Sequence, residues 1–123
     1  MKDILFVGLG GFLGSIIRYK ISGFFLHMYA NAKFPWGTFF VNLFGCLLIG
    51  IIAGVAEKYL YFTNQMRIFL ITGFLGGFTT FSAFGFESMY LFKRGDTLLA
   101  FSYIIGSVVL GIFFVWLGFK VFE

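Results

Sequence analysis

The sequence predicts an all-α membrane protein of four transmembrane helices with little chain outside them. Three observations carry this. Of 123 residues, 60% are hydrophobic and 11% are charged, against about 25% charged in a soluble domain. Mean hydropathy is +0.99. The apolar residues also gather in four stretches, each long enough to cross ~30 Å of hydrocarbon at a rise of about 1.5 Å per residue. Too few charges remain to coat the chain in water, so lipid is the solvent that suits it. The length fits one domain, residues 1–123.

The four spans run from about Ile4 to His27, Trp36 to Ala56, Ile68 to Phe92 and Thr97 to Phe119. The first follows Lys2 as a signal peptide would. It is long, however, carries Arg18 and Lys20 near its end and lacks a small-residue cleavage site, so it reads as a retained span. Gly10 and Gly14 form a small-xxx-small pair suited to close helix packing. Arg18 either snorkels to the interface or donates at an aqueous vestibule.

The second span opens on Pro35-Trp36-Gly37-Thr38, with proline apt for a first helical turn and tryptophan for headgroup depth. Asn42 lies too deep to reach headgroups and needs a partner. That partner is another helix or, in a pore, a passing anion. Gly50 and Gly54 make a second packing pair.

The third span is the least uniform. Gly73 to Ser82 contains three glycines, two threonines and a serine at mid-membrane depth. Each glycine costs a helix about 0.8–1.0 kcal/mol relative to alanine, which favours a broken helix over a straight one packed through Gly73 and Gly77. A break at this depth is tolerated only when buried in protein or lining a cavity. Phe81 and Phe84 share a helix face. They are either lipid-facing filler or ring edges, partially positive, set along an anion path. Glu87 is the only acid well inside a span. A proton relay, the polar end of a pore and a pair with Arg18 are all open to it. In the fourth span Ser102, Tyr103 and Ser107 are polar, and serines there often bond back to their own helix.

Orientation follows from the distribution of Lys and Arg. The side holding both termini has four (Lys2, Lys58, Arg67, Lys120); the other has Lys33, Lys93 and Arg94, and five once Arg18 and Lys20 are added. That is no bias, and it suggests insertion in both directions and an antiparallel dimer, a two-chain analogue of inverted repeats. The polar residues inside the spans argue the same way if they need a protein neighbour. The +4 net charge is spread out and implies no nucleic acid partner. Cys46 is the only cysteine and His27 the only histidine. No metal cluster, P-loop or nucleophile–base pattern is present, so the chain does not read as an enzyme.

Three motifs carry a resemblance: Gly10-Gly11-x-x-Gly14-x-x-x-Arg18-Tyr19, Gly37-Thr38-x-x-x-Asn42-x-x-Gly45, and Gly73-Phe74-x-Gly76-Gly77-x-Thr79-Thr80-Phe81-Ser82-x-Phe84. With them the whole chain resembles the Fluc (CrcB-type) fluoride channel family. The resemblance implies a dual-topology antiparallel homodimer in the cell inner (plasma) membrane, with two pores that passively export toxic fluoride. It implies a broken third helix and a central structural Na⁺ held by backbone carbonyls of both subunits, at Gly76 and Thr79 here. Asn42, Phe81 and Phe84 would line the pore. Thr38, Ser82, Glu87, Tyr103 and Ser107 would form its polar side, with Arg18 at the vestibule. Ala83 stands where the family usually has threonine or serine, and Gly111 where some relatives carry serine. The competing expectations are a proton-coupled small-molecule exporter using Glu87 and a non-transporting accessory subunit.

Overall fold

A computed structural model describes residues 1–123. It is all-helical: α1 (Lys2–Met28), α2 (Trp36–Lys58), α3 (Asn64–Arg67), a π-helical stretch (Ile68–Leu75), α4 (Gly76–Phe78), α5 (Phe81–Lys93) and α6 (Thr97–Lys120). α3 through α5 form one span, Asn64–Lys93, so four helical segments are long and apolar enough to cross a membrane. The third span starts four residues earlier than the apolar run does. The cause is a cap: the Thr63 hydroxyl accepts the Met66 N–H at 3.2 Å, and a threonine there favours a helix start.

The spans pair as α1 with the third span and α2 with α6. Both pairs are built on glycine. In lipid no hydrophobic force draws helices together, so close backbone approach and van der Waals contact must do so. A Cβ on Gly10 or Gly14 would run into the main chain at Phe69 and Phe74. The reciprocal glycines Gly73 and Gly77 meet the Val7 carbonyl (2.9 Å) and the Gly11 carbonyl (2.5 Å) from the other side. The π-helical turns, with their i→i+5 bonds, make a broad segment, and α1 admits it through these small residues.

On the second seam Gly50 abuts the Val115 carbonyl and Gly118, while Gly54 has its nearest neighbour, the Phe119 carbonyl, at 3.5 Å. The two glycines look alike in sequence but not in space. Gly50→Ala forces backbone apart and is expected to cost about 1–3 kcal/mol. Gly54→Ala meets ordinary contacts and gains helix propensity of about 0.8–1.0 kcal/mol. Thermal loss of monodisperse protein in detergent should fall by several degrees for the first and stay level or rise for the second. Equal shifts for both would contradict this packing.

The third span is interrupted. Thr79 (φ −87°, ψ 157°) and Thr80 (φ −147°, ψ 116°) are extended between α4 and α5. β-branched residues accept this geometry easily. The Thr80 hydroxyl then caps the restart, accepting the Ala83 N–H at 3.2 Å. The glycines that raise the cost of a helix here sit beside the interruption rather than in it; Gly73 and Gly77 serve the contact with α1.

Candidate functional site

Two extended residues at mid-span leave main-chain groups without helical partners, and neighbouring elements supply them. Asn42, on α2, bonds Thr80 twice. Its Nδ2 donates to the Thr80 carbonyl at 3.0 Å, and its Oδ1 accepts the Thr80 N–H at 2.8 Å. Gly45, one turn on, leaves room for the Thr79 methyl. The Asn42-x-x-Gly45 spacing thus serves both threonines from one face of α2. From α1, Arg18 Nε donates to the Gly77 carbonyl at 2.9 Å.

Diverting the Thr80 N–H to Asn42 removes the donor that an unbroken helix would aim at the Gly76 carbonyl. Diverting the Ala83 N–H to Thr80 Oγ1 does the same for the Thr79 carbonyl. The Gly76 and Thr79 carbonyls at mid-span thereby lose the helical donors they would otherwise have.

An open cleft of about 440 Å³ faces this region, lined by Asn42, Cys46, Gly76, Thr79, Thr80, Phe81, Phe84 and Ser107 among others. From it an aromatic track leads along the protein. Phe81 lies 5.7 Å from Phe84, and Phe84 5.1 Å from Tyr103, between ring centroids. The track ends on a polar trio. Thr38 Oγ1 donates to Glu87 Oε2 at 2.7 Å, and Tyr103 Oη donates to Glu87 Oε1 at 2.9 Å. Thr38 and Tyr103 are buried and Glu87 is half-buried. Glu87 lies six residues before the end of α5, about 9 Å at 1.5 Å per residue, so the trio is nearer a membrane face than the interruption is.

Residues 5–119 match the family described as "CrcB-like protein, Camphor Resistance (CrcB)". The chain belongs to this family. Relatives named "Fluoride-specific ion channel FluC" match it along almost its whole length. That of Methylobacillus flagellatus is 45% identical over 98% of this chain and 94% of its own. That of Phocaeicola vulgatus is 46% identical over 96% of each. That of Flavobacterium psychrophilum is 44% identical over 96% of this chain and 94% of its own.

In this CrcB-like chain the expected site residues fall into three places. Asn42, Gly76, Thr79, Phe81, Phe84 and Ser107 share the cleft. Thr38, Glu87 and Tyr103 form the trio. Ser82 is exposed beside Thr80, its hydroxyl 3.4 Å from Thr80 Oγ1. An Arg18–Glu87 pair is not formed. Arg18 is spent on Gly77, and Glu87 sits ten residues further along the span, roughly 15 Å at helical rise. Arg18 Nε thus braces the interruption from α1. Ser102 bonds back to the Leu98 carbonyl at 2.8 Å. Tyr103 instead reaches across to α5.

No buried side-chain nitrogen or oxygen lacks a hydrogen-bond partner. The buried polar side chains of the spans are thus satisfied within a single chain.

Two positions carry more than the motifs suggest. Thr80 is both helix cap and Asn42 partner. Cys46 lies in the cleft wall, and a Cβ at Gly111 would sit 3.3 Å from its Sγ. A side chain at 111 would therefore press on Cys46. The packing does not explain Ala83.

Proposed function

We propose that this chain is a fluoride-selective channel that passively exports toxic fluoride across the cell inner membrane, as an antiparallel homodimer with two pores. The observation that carries the reading is the track from an open mid-span cleft, along the Phe81 and Phe84 rings and the edge of Tyr103, to the Thr38–Glu87–Tyr103 trio. Near-complete matches to proteins named as fluoride-specific channels support it.

The chemistry fits a small, strongly hydrated anion. A mainly apolar wall discourages entry without replacement of water. Ring edges carry partial positive charge, and the second Nδ2 hydrogen of Asn42 is a neutral donor. Such contacts replace hydration weakly enough to let the ion leave again. Fluoride enters cells as its neutral acid and is trapped as the anion, so the membrane potential suffices to drive it out through a passive pore. Pairing of two chains is supported by the even distribution of Lys and Arg and by an open cleft at a depth where polar main chain needs cover.

The family resemblance also implies a structural Na⁺. The donors fit: hard cations take oxygen ligands, including main-chain carbonyls, and Gly76 and Thr79 are the residues whose carbonyls the interruption releases. Two oxygens are too few for such an ion, and a second copy would double them. Bound there, Na⁺ would neutralise carbonyl dipoles turned toward one another and tie two chains together.

The test is efflux from liposomes loaded with fluoride, followed with an ion-selective electrode. The expected result is rapid electrogenic efflux, with none for chloride under the same potential. Efflux that requires an imposed proton gradient would mean a carrier instead. No movement of either ion would leave an accessory role.

A further inference from the structure

A small cavity of about 90 Å³ lies against Glu87 and is bounded by Lys33, Pro35, Phe86, Tyr90 and Leu91. At about 30 Å³ per water it holds roughly three. Lys33 comes from the loop between α1 and α2, and its side chain is 60% exposed. At this lip two cations share one acid. Lys33 Nζ lies 3.6 Å from Asp96 Oδ1, and Arg94 Nε lies 3.7 Å from Asp96 Oδ2. Exposed ion pairs at such distances hold a fold together only weakly. Their field, however, acts on every ion approaching the cavity.

We infer that the Lys33–Asp96–Arg94 triad sets the rate of anion capture at the Glu87 end of the path, with Lys33 as the attracting charge and Asp96 as its attenuator. The inference rests on the fluoride-channel reading. Glu87 explains why such a device is needed. A carboxylate near the end of an anion path faces arriving ions with acceptor oxygens. Thr38 and Tyr103 each donate to one of them, but they are neutral and cancel no charge. The nearest mobile positive charge along the cavity wall is Lys33. Asp96 draws it, with Arg94, toward the α5–α6 turn.

The charge account predicts opposite effects from two neighbours in contact. Lys33→Gln removes the attracting charge. Asp96→Asn frees two cations and keeps a residue that suits the start of α6. Initial fluoride efflux is measured in proteoliposomes at fluoride far below saturation and about 10 mM ionic strength, then at about 1 M with an impermeant salt. Screening shortens from about 30 Å to about 3 Å between the two. At low salt Lys33→Gln is expected to slow efflux about two- to three-fold and Asp96→Asn to speed it by a similar factor, as for one unit charge several ångströms away in water. At high salt all three proteins should converge. A merely structural role for the triad moves both variants in the same direction and survives salt; either outcome overturns the inference. So does unchanged efflux in both variants beside a conducting wild type. A wild type that carries no fluoride overturns the channel reading as well, and its own trace distinguishes that failure.

Discussion

Asn42→Asp is expected to lower fluoride efflux about 100-fold while the four spans remain folded. The side chain keeps its shape, so only hydrogen-bond chemistry and charge change. Aspartate can still accept the Thr80 N–H, which now lies 2.8 Å from Asn42 Oδ1. It cannot donate to the Thr80 carbonyl, 3.0 Å from Nδ2, and instead sets oxygen against oxygen there. A group left unpaired in a buried setting costs about 1–3 kcal/mol, and an added negative charge repels the ion. A repulsion that raises the barrier by about 2.8 kcal/mol corresponds to 100-fold, at about 1.4 kcal/mol per factor of ten. The measurement is initial efflux per reconstituted protein, with gel filtration and circular dichroism to check the fold. Efflux within two-fold of wild type, with the fold intact, would remove Asn42 from the pore.

The spans were legible because each depends on local composition: length, hydropathy and a few charges placed at the ends. The interruption was legible only in part. Glycine cost pointed to the right dozen residues for a reason that applies elsewhere, since Gly73 and Gly77 meet α1. The extended residues are Thr79 and Thr80, whose conformation is stabilised from outside their own segment. Asn42 reaches Thr80 across 38 positions of sequence, and Arg18 reaches Gly77 across 59. Nothing in residue spacing encodes such pairings. For the same reason Arg18 and Glu87, two opposite charges in neighbouring spans, suggested a pair that depth along the helices forbids. The aromatic and polar track has the same character. Each member is an ordinary residue in its own span, and the sequence of contacts from Phe81 to Glu87 exists only after α2, α5 and α6 have packed.

Phe81→Ile is the cleanest probe of that track, and it is expected to slow fluoride efflux about 10-fold or more with little effect on stability. Phe81 is 83% exposed in the chain, so few of its contacts within the fold are lost on substitution. Its one close aromatic neighbour is Phe84, at 5.7 Å. Isoleucine is apolar and comparably bulky, and so equally acceptable to lipid or to a facing chain. What it lacks is a ring edge with partial positive charge, an interaction of the order of 1.5 kcal/mol for aromatic contacts, which is about a factor of ten. Phe84 is a poorer choice. It is half-buried and packs 5.1 Å from Tyr103, so its loss would disturb the trio as well as the path. Phe81→Tyr sharpens the test because it preserves the ring, and it should retain most of the flux. If isoleucine and tyrosine behave alike and both conduct as the wild type does, Phe81 is lipid-facing filler, and the anion path runs elsewhere.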